Sequence, residues 1–231
     1  MRFASVLTTS IAVALAPAVG TAQEMDKAIF HFSQIEVDAS RSPGATLSSW
    51  HGNGWSGTDY DRLWWSTEGD RLAGSFGETE VMLLYGHYAR RFWDVVVGYR
   101  QEVEPIAQGY LTFGVMGLAP YWFEVGLFGF VSDDGRPSLR FEAENDLFIT
   151  QRLILQPFLE LDALVVRDDD LGAGAGLRTL DLGLRTRYEI RRKFAPYIDL
   201  RWVRDGGDDE TLPGEFDADG VRLGFGVRLI Y

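Results

Sequence analysis

The side chains of this chain that could ligate a metal are few and scattered. His31, His51 and His87 are its three imidazoles, and Met25, Met82 and Met116 are the thioethers beyond Met1. Cysteine is absent, so neither thiolate ligands nor disulfides are available. Thioethers suit soft ions, imidazoles borderline ones and carboxylates hard ones. No two histidines stand at i, i+2 or i, i+4, so no element presents a ready-made pair. Packing or interfacial roles come first for these residues, and metal ligation second.

The carboxylates form a richer pattern. Glu80, Glu124, Glu142, Glu144, Glu160, Asp162, Asp181 and Asp199 each fall on the polar parity of an alternating segment, as do Arg100, Arg140, Arg185, Arg187, Arg201, Arg222 and Arg228. Two roles follow if that parity faces an interior. Charges buried together must be paired, and such pairs fill a narrow lumen. A wall of acidic groups also attracts cations and can guide them. Enzyme chemistry is not expected, because no histidine adjoins a Gly-x-Ser-x-Gly elbow or a His-x-x-x-His pair.

The elements that must position these groups are strands. The last segment, V-R-L-G-F-G-V-R-L-I-Y, puts Val221, Leu223, Phe225, Val227, Leu229 and Tyr231 on one parity and Arg222, Gly224, Gly226 and Arg228 on the other. Period two marks a strand with one apolar face. Similar alternation predicts strands over Ala28–Asp38, Ala45–His51, Thr58–Glu68, Gly77–Ala89, Trp93–Glu102, Gly109–Leu118, Tyr121–Val131, Ser138–Ile149, Arg152–Val166, Leu177–Ile190, Phe194–Arg204 and Val221–Tyr231. The glycine-rich stretch Gly52–Gly57 reads as a turn. Tight connections such as Arg90-Arg91, Ala119-Pro120, Thr150-Gln151 and Arg191–Lys193 alternate with longer ones rich in Asp and Gly. Strands of this length, a terminal aromatic and alternating short and long connections predict an all-β fold, an antiparallel transmembrane β-barrel of about twelve strands. In a barrel the apolar parity meets lipid and the charged parity the lumen, which puts Met82 and Met116 inside with the carboxylates. His87 falls on the other parity, near a turn.

Met1–Ala22 has the plan of a secretory signal peptide: Arg2, an apolar run from Val6 to Ala16, then small residues at Gly20-Thr21-Ala22. A short periplasmic leader, Gln23–Lys27, would follow, and the barrel would occupy residues 28–231. Export alone leaves a soluble periplasmic or external protein open; export of a chain that spans as strands implies the cell outer membrane, with its lipid as the first partner. The formal charge of -12 argues against nucleic acid, which needs a basic face.

Several strings go further than periodicity can. WHGNGWSGTDYDRLWWSTEGD (Trp50–Asp70), GLAPYWFEVGLFGFVSDDG (Gly117–Gly135), TQRLILQP (Thr150–Pro157) and GLRTLDLGLRTRYEIRRKFAPYIDL (Gly176–Leu200) resemble segments of the copper resistance protein B family of Gram-negative outer-membrane proteins. The resemblance runs from about Phe30 to Tyr231. It implies an outer-membrane barrel that takes part in copper binding, passage or tolerance, with copper ion as ligand or cargo. Members of this family often carry a Met- and His-rich segment ahead of the barrel. Here Gln23–Lys27 stands in that place, with Met25 as the single candidate ligand. By this resemblance Met82, Met116, Glu80, Glu124, Glu142, Glu144, Glu160 and Asp162 are the candidate lumen ligands, with His31, His51 and His87 behind them. Two other roles fit: a barrel that docks a periplasmic multicopper oxidase, or a small general porin.

Overall fold

The computed structural model describes residues 28–42, 45–72, 75–104, 106–167, 174–205 and 220–231. The expected signal peptide and leader lie outside the described residues. Every long element is a strand: β1 (Phe30–Ser42), β2 (Ala45–Gly57), β3 (Asp61–Leu72), β4 (Ser75–Arg90), β5 (Trp93–Glu104), β6 (Gln108–Ala119), β7 (Phe123–Ser132), β8 (Pro137–Glu144), β9 (Leu147–Phe148), β10 (Leu153–Leu164), β11 (Gly176–Tyr188), β12 (Phe194–Asp205) and β13 (Gly220–Ile230). Each pairs antiparallel with its neighbours, and β9 continues β8 along β10. The wall is therefore a closed barrel of twelve staves.

Closure is made by the two ends of the chain. β13 lies against β1 from Gln34↔Ile230 to Arg41↔Leu223. The backbone of Tyr231 extends the ladder: its N–H donates to Ser33 O at 2.8 Å, and its carbonyl accepts from Ser33 N–H at 3.1 Å. Among the described residues only the two-residue β9 is paired on one side alone, so no long edge is left to template aggregation.

Parity sets the two faces, as alternation requires. Val81, Leu83 and Tyr85 of β4, Leu111 and Phe113 of β6, and Ile198, Leu200 and Trp202 of β12 are exposed on the outside. Large apolar side chains standing outward on strand after strand form a lipid-facing belt. Inside, Met82, Leu84, Val96, Tyr110, Phe128 and Phe130 pack together with Trp64 and Met116 against them. These come from β3 to β7, so one side of the lumen is filled by an apolar cluster and the remainder by charge.

Two local expectations are corrected. Gly52–Gly57 is strand, the second half of β2, and the turn falls at Thr58–Tyr60, where Thr58 N–H donates to Asp61 O at 2.8 Å and Asp61 N–H to Thr58 Oγ1 at 3.1 Å. The glycines serve packing. Gly54 stands opposite Trp65 on β3, and a Cβ there would lie 2.8 Å from the indole and 2.4 Å from Phe32 O. A strand glycine that admits an aromatic ring has the same local signature as a turn glycine.

The segment Ser138–Ile149 is broken after Glu144. Pro157 of β10 faces the break and has no N–H to donate, so the ladder cannot continue there. Asn145 takes up the gap: its N–H donates to Pro157 O at 3.2 Å and its side-chain amide to Tyr121 O at 2.8 Å. The expected alternation of short and long connections holds only from β10 onward, where 165–175 and 206–219 are long against 189–193. Before that the two ends do not differ: β1–β2 and β3–β4 are joined by only two residues each, 43–44 and 73–74, and β5–β6 and β7–β8 by 105–107 and 133–136.

Candidate functional site

Strand register brings the charged residues of the lumen together. Arg140 of β8 is buried and sits opposite Asp162 of β10, to which its Nε donates at 2.9 Å. The same guanidinium crosses the lumen. Nη1 donates to Glu80 Oε1 of β4 at 3.0 Å and to Glu68 Oε1 of β3 at 3.3 Å, and Nη2 to Glu80 Oε2 at 3.3 Å. Glu160 stands 3.4 Å from Nε. Four carboxylates thus converge on one cation. Arg100 of β5 pairs with Glu102 and lies 3.6 Å from Glu80, so it closes the network on that side. Its guanidinium also covers the rings of Tyr110 and Phe130, with its carbon 4.2 and 4.3 Å from their centroids, which joins the charged network to the apolar cluster.

A second network lines the wall formed by β11 to β13 and β1. Glu36 is buried and accepts from Arg228 and Arg185. Asp199 accepts from Arg201 Nη2 at 2.8 Å and Arg185 Nη2 at 3.1 Å, and Arg201 Nη1 reaches Asp181 at 3.2 Å. Arg187 bonds Asp146 at 2.6 Å, and Arg187 and Arg228 share Gln156 Oε1 at 3.3 and 3.1 Å. The two signs are therefore not evenly spread. Arg185, Arg187, Arg201, Arg222 and Arg228 belong to β11–β13, whereas the acids Glu68, Glu80, Glu102, Glu142, Glu160 and Asp162 belong to β3–β10.

The other residues singled out in the sequence distribute as follows. Met82 is buried and Met116 half-buried, both in the apolar cluster, where their thioethers pack against rings and aliphatic groups. Glu142 lies beside Glu160 in register, and Glu144 beside Glu124. Glu144 accepts from Gln156 Nε2 at 3.1 Å, and Glu124 is exposed at the end with the short turns. His31 is exposed on the outer parity of β1. His87 is also outside: its Nδ1 lies 2.8 Å from Asp61 Oδ1, which accepts from Tyr85 OH at 2.6 Å. His51 is inside, opposite Glu36 on one neighbouring strand and Glu68 on the other.

The three histidines are not brought together. Among the described residues, no three His, Asp or Glu side chains are arranged to hold a metal ion by themselves. The physical reason at the acid cluster is plain, since the Arg140 guanidinium fills its centre. Glu68 and Glu36 carry more of this site than the candidate set included. Both lie on the same polar parity as their neighbours, which was the available signal.

Comparison with known proteins agrees with this architecture. Residues 27–231 match the family model described as Copper resistance protein B precursor (CopB). Copper resistance protein B of Escherichia coli is 44% identical over 168 residues, covering 72% of this chain and 57% of that protein. The Copper resistance protein B homolog of Pseudomonas syringae pv. tomato is 42% identical over 189 residues, covering 80% of this chain and 64% of that protein. The chain therefore spans about three fifths of the length of these relatives. Among solved structures, the NanC porin superposes with a TM-score of 0.59 at 11% identity, and the KdgM porin with 0.55 at 13%. Each superposition covers 85% of this chain and 98% of the porin, and it speaks for the outer-membrane barrel fold alone. The family and the fold together point to a barrel protein of the outer membrane. With residues 27–231 matched by the family model, this chain belongs to the copper resistance protein B family.

Proposed function

We propose that the barrel serves copper tolerance by giving copper ions a path of weak binding along the acidic side of its lumen. One observation carries this reading: Glu68, Glu80, Glu160 and Asp162 all turn toward the single guanidinium of Arg140. With Glu102 and Arg100 counted in, five carboxylates face two guanidiniums, so acid is in excess where a cation would pass. Carboxylates are hard ligands for copper, and a site made of them binds loosely enough to release its cargo. Met82 and Met116 are held by packing and act as lining. Glu142 and Glu144 continue the acidic surface toward the end with the short turns, where Glu124 is exposed.

Reversal potentials of the purified barrel in planar bilayers test the reading. A copper salt gradient should give a potential of the sign that marks cation preference. Glu80→Gln/Glu160→Gln should move it toward zero while the barrel remains folded. A wild-type barrel with no ionic conductance would remove passage. It would favour a docking role, with a periplasmic copper-handling partner at the short-turn end.

A further inference from the structure

The acidic wall already holds a cation, and it is one of the protein's own. The buried guanidinium of Arg140 stands where carboxylates of β3, β4 and β10 converge. Its two ends are held differently. Nε, near the wall, donates at 2.9 Å to Asp162, the residue opposite Arg140 in the β8–β10 ladder. Nη1 and Nη2 reach across the lumen to Glu68 and Glu80. The Asp162 contact comes with the strand pairing, whereas the contacts to Glu68 and Glu80 can part without disturbing the sheet.

The acids around it are not used up. Glu142, next on the same parity of β8, faces Glu160 in register and has no ion pair or hydrogen bond among the described residues. Two carboxylates side by side repel one another, and a cation between them relieves the repulsion. Which cation gets there depends on what Arg140 concedes. A guanidinium carries one charge at every pH a cell meets, and its fork holds Glu80 through two bonds. A free monovalent cation brings the same charge without that fork, so it gains nothing by displacing Arg140. A divalent cation doubles the Coulomb attraction to each carboxylate. It draws Glu68 and Glu80 from the guanidinium, which falls back on Asp162.

We propose that Arg140 is the residue that sets the charge selectivity of the lumen: a tethered monovalent cation that keeps free monovalent cations off the acidic wall and yields to divalent ones. This role rests on the proposed passage of cations along that wall, and it adds which ions are admitted and what refuses the others. The preference is one of valence, so magnesium and copper ions are both favoured over potassium. Arg100 does not share the role. It is held by Glu102 and packed against the rings of Tyr110 and Phe130, so it stays with the wall.

Reversal potentials of the full chain in planar bilayers, with magnesium chloride on one side and potassium chloride on the other, test this. Wild type should favour magnesium over potassium about tenfold, the factor that one hydrogen bond to a charged group commands. Arg140→Gln should bring the ratio close to one and raise potassium conductance by a similar factor. That change alone strands carboxylates, so Arg140→Gln/Glu80→Gln is measured beside it. Both partners of the two-bond pair are then neutral, the net charge is kept, and the ratio should fall in the same way. Heat-modifiable gel migration checks that each variant is folded. A wild-type ratio near one would overturn the proposal, as would a ratio unchanged in the folded double variant, and passage along the acidic wall would stand in either case. A wild-type barrel that conducts no cation would remove passage and this role together.

Discussion

Arg140 of β8 and Glu80 of β4 meet across the lumen through two hydrogen bonds, 3.0 and 3.3 Å long, although four strand pairings separate them around the wall. Both residues are buried. Removing one partner from such a pair strands the other, and here Arg140 is the common partner of four carboxylates. Arg140→Gln should destabilise the folded barrel by about 3–5 kcal/mol. Urea unfolding in detergent micelles, followed by gel migration without heating, measures it.

Glu80→Gln should be much milder. Arg140 keeps Glu68, Glu160 and Asp162, and Arg100 keeps Glu102, so no charge is left alone. The expected cost is about 1 kcal/mol. If the two variants were equally damaging in the same unfolding assay, the network would not be centred on Arg140.

Much of this was legible in the sequence, and what escaped has physical causes. Alternation alone separates lipid-facing from lumen-facing residues, and it put Glu142, Glu160, Asp162, Arg185 and Arg228 on the inner parity. Which acid meets which arginine depends on how the sheet closes. No local pattern encodes the approach of Arg140 to Glu80 or of Arg228 to Glu36. The glycines of β2 hide the inward position of His51, because a glycine-rich stretch reads as a turn. Ending that strand at His51 left the residue at an apparent turn, whereas the full strand to Gly57 sets it between Glu36 and Glu68.

Glycine also admits an aromatic ring on the lumen side. Gly183 of β11 lies opposite Phe158 of β10, and a Cβ there would fall 2.1 Å from the ring. The guanidinium carbons of Arg185 and Arg201 lie 5.5 and 5.3 Å from the centroid of that ring. Gly183→Ala should therefore displace Phe158 and cost about 1–3 kcal/mol. Gly135→Ala makes a comparison of a different kind, since a Cβ there meets nothing within 4 Å but the residue has φ +86°. Its cost should come from backbone strain alone.

The loop from Ser132 to Arg136 should be stable to acid. Asp134 accepts from the Arg136 guanidinium and the Ser132 hydroxyl, and these bonds hold its carboxyl down at about 2 against an ordinary value of 3.8. A carboxylate with a lowered pKa contributes stability fully present above its unfolded value and lost as pH falls through the folded one. The loop should thus keep its structure at pH 4 and loosen only as pH approaches about 2. Amide exchange at Gly135, whose N–H donates to Ser132 O at 2.8 Å, reports this. In Asp134→Asn the pH-dependent step should vanish.

Copper entry into sealed liposomes that hold the purified barrel is the most direct measurement of the central reading. An indicator trapped inside should respond faster with wild type than with empty liposomes, and Glu80→Gln/Glu160→Gln should slow it while preserving folded migration on gels. Copper entry no faster than into empty liposomes, or undiminished by that substitution, would contradict passage along the acidic wall.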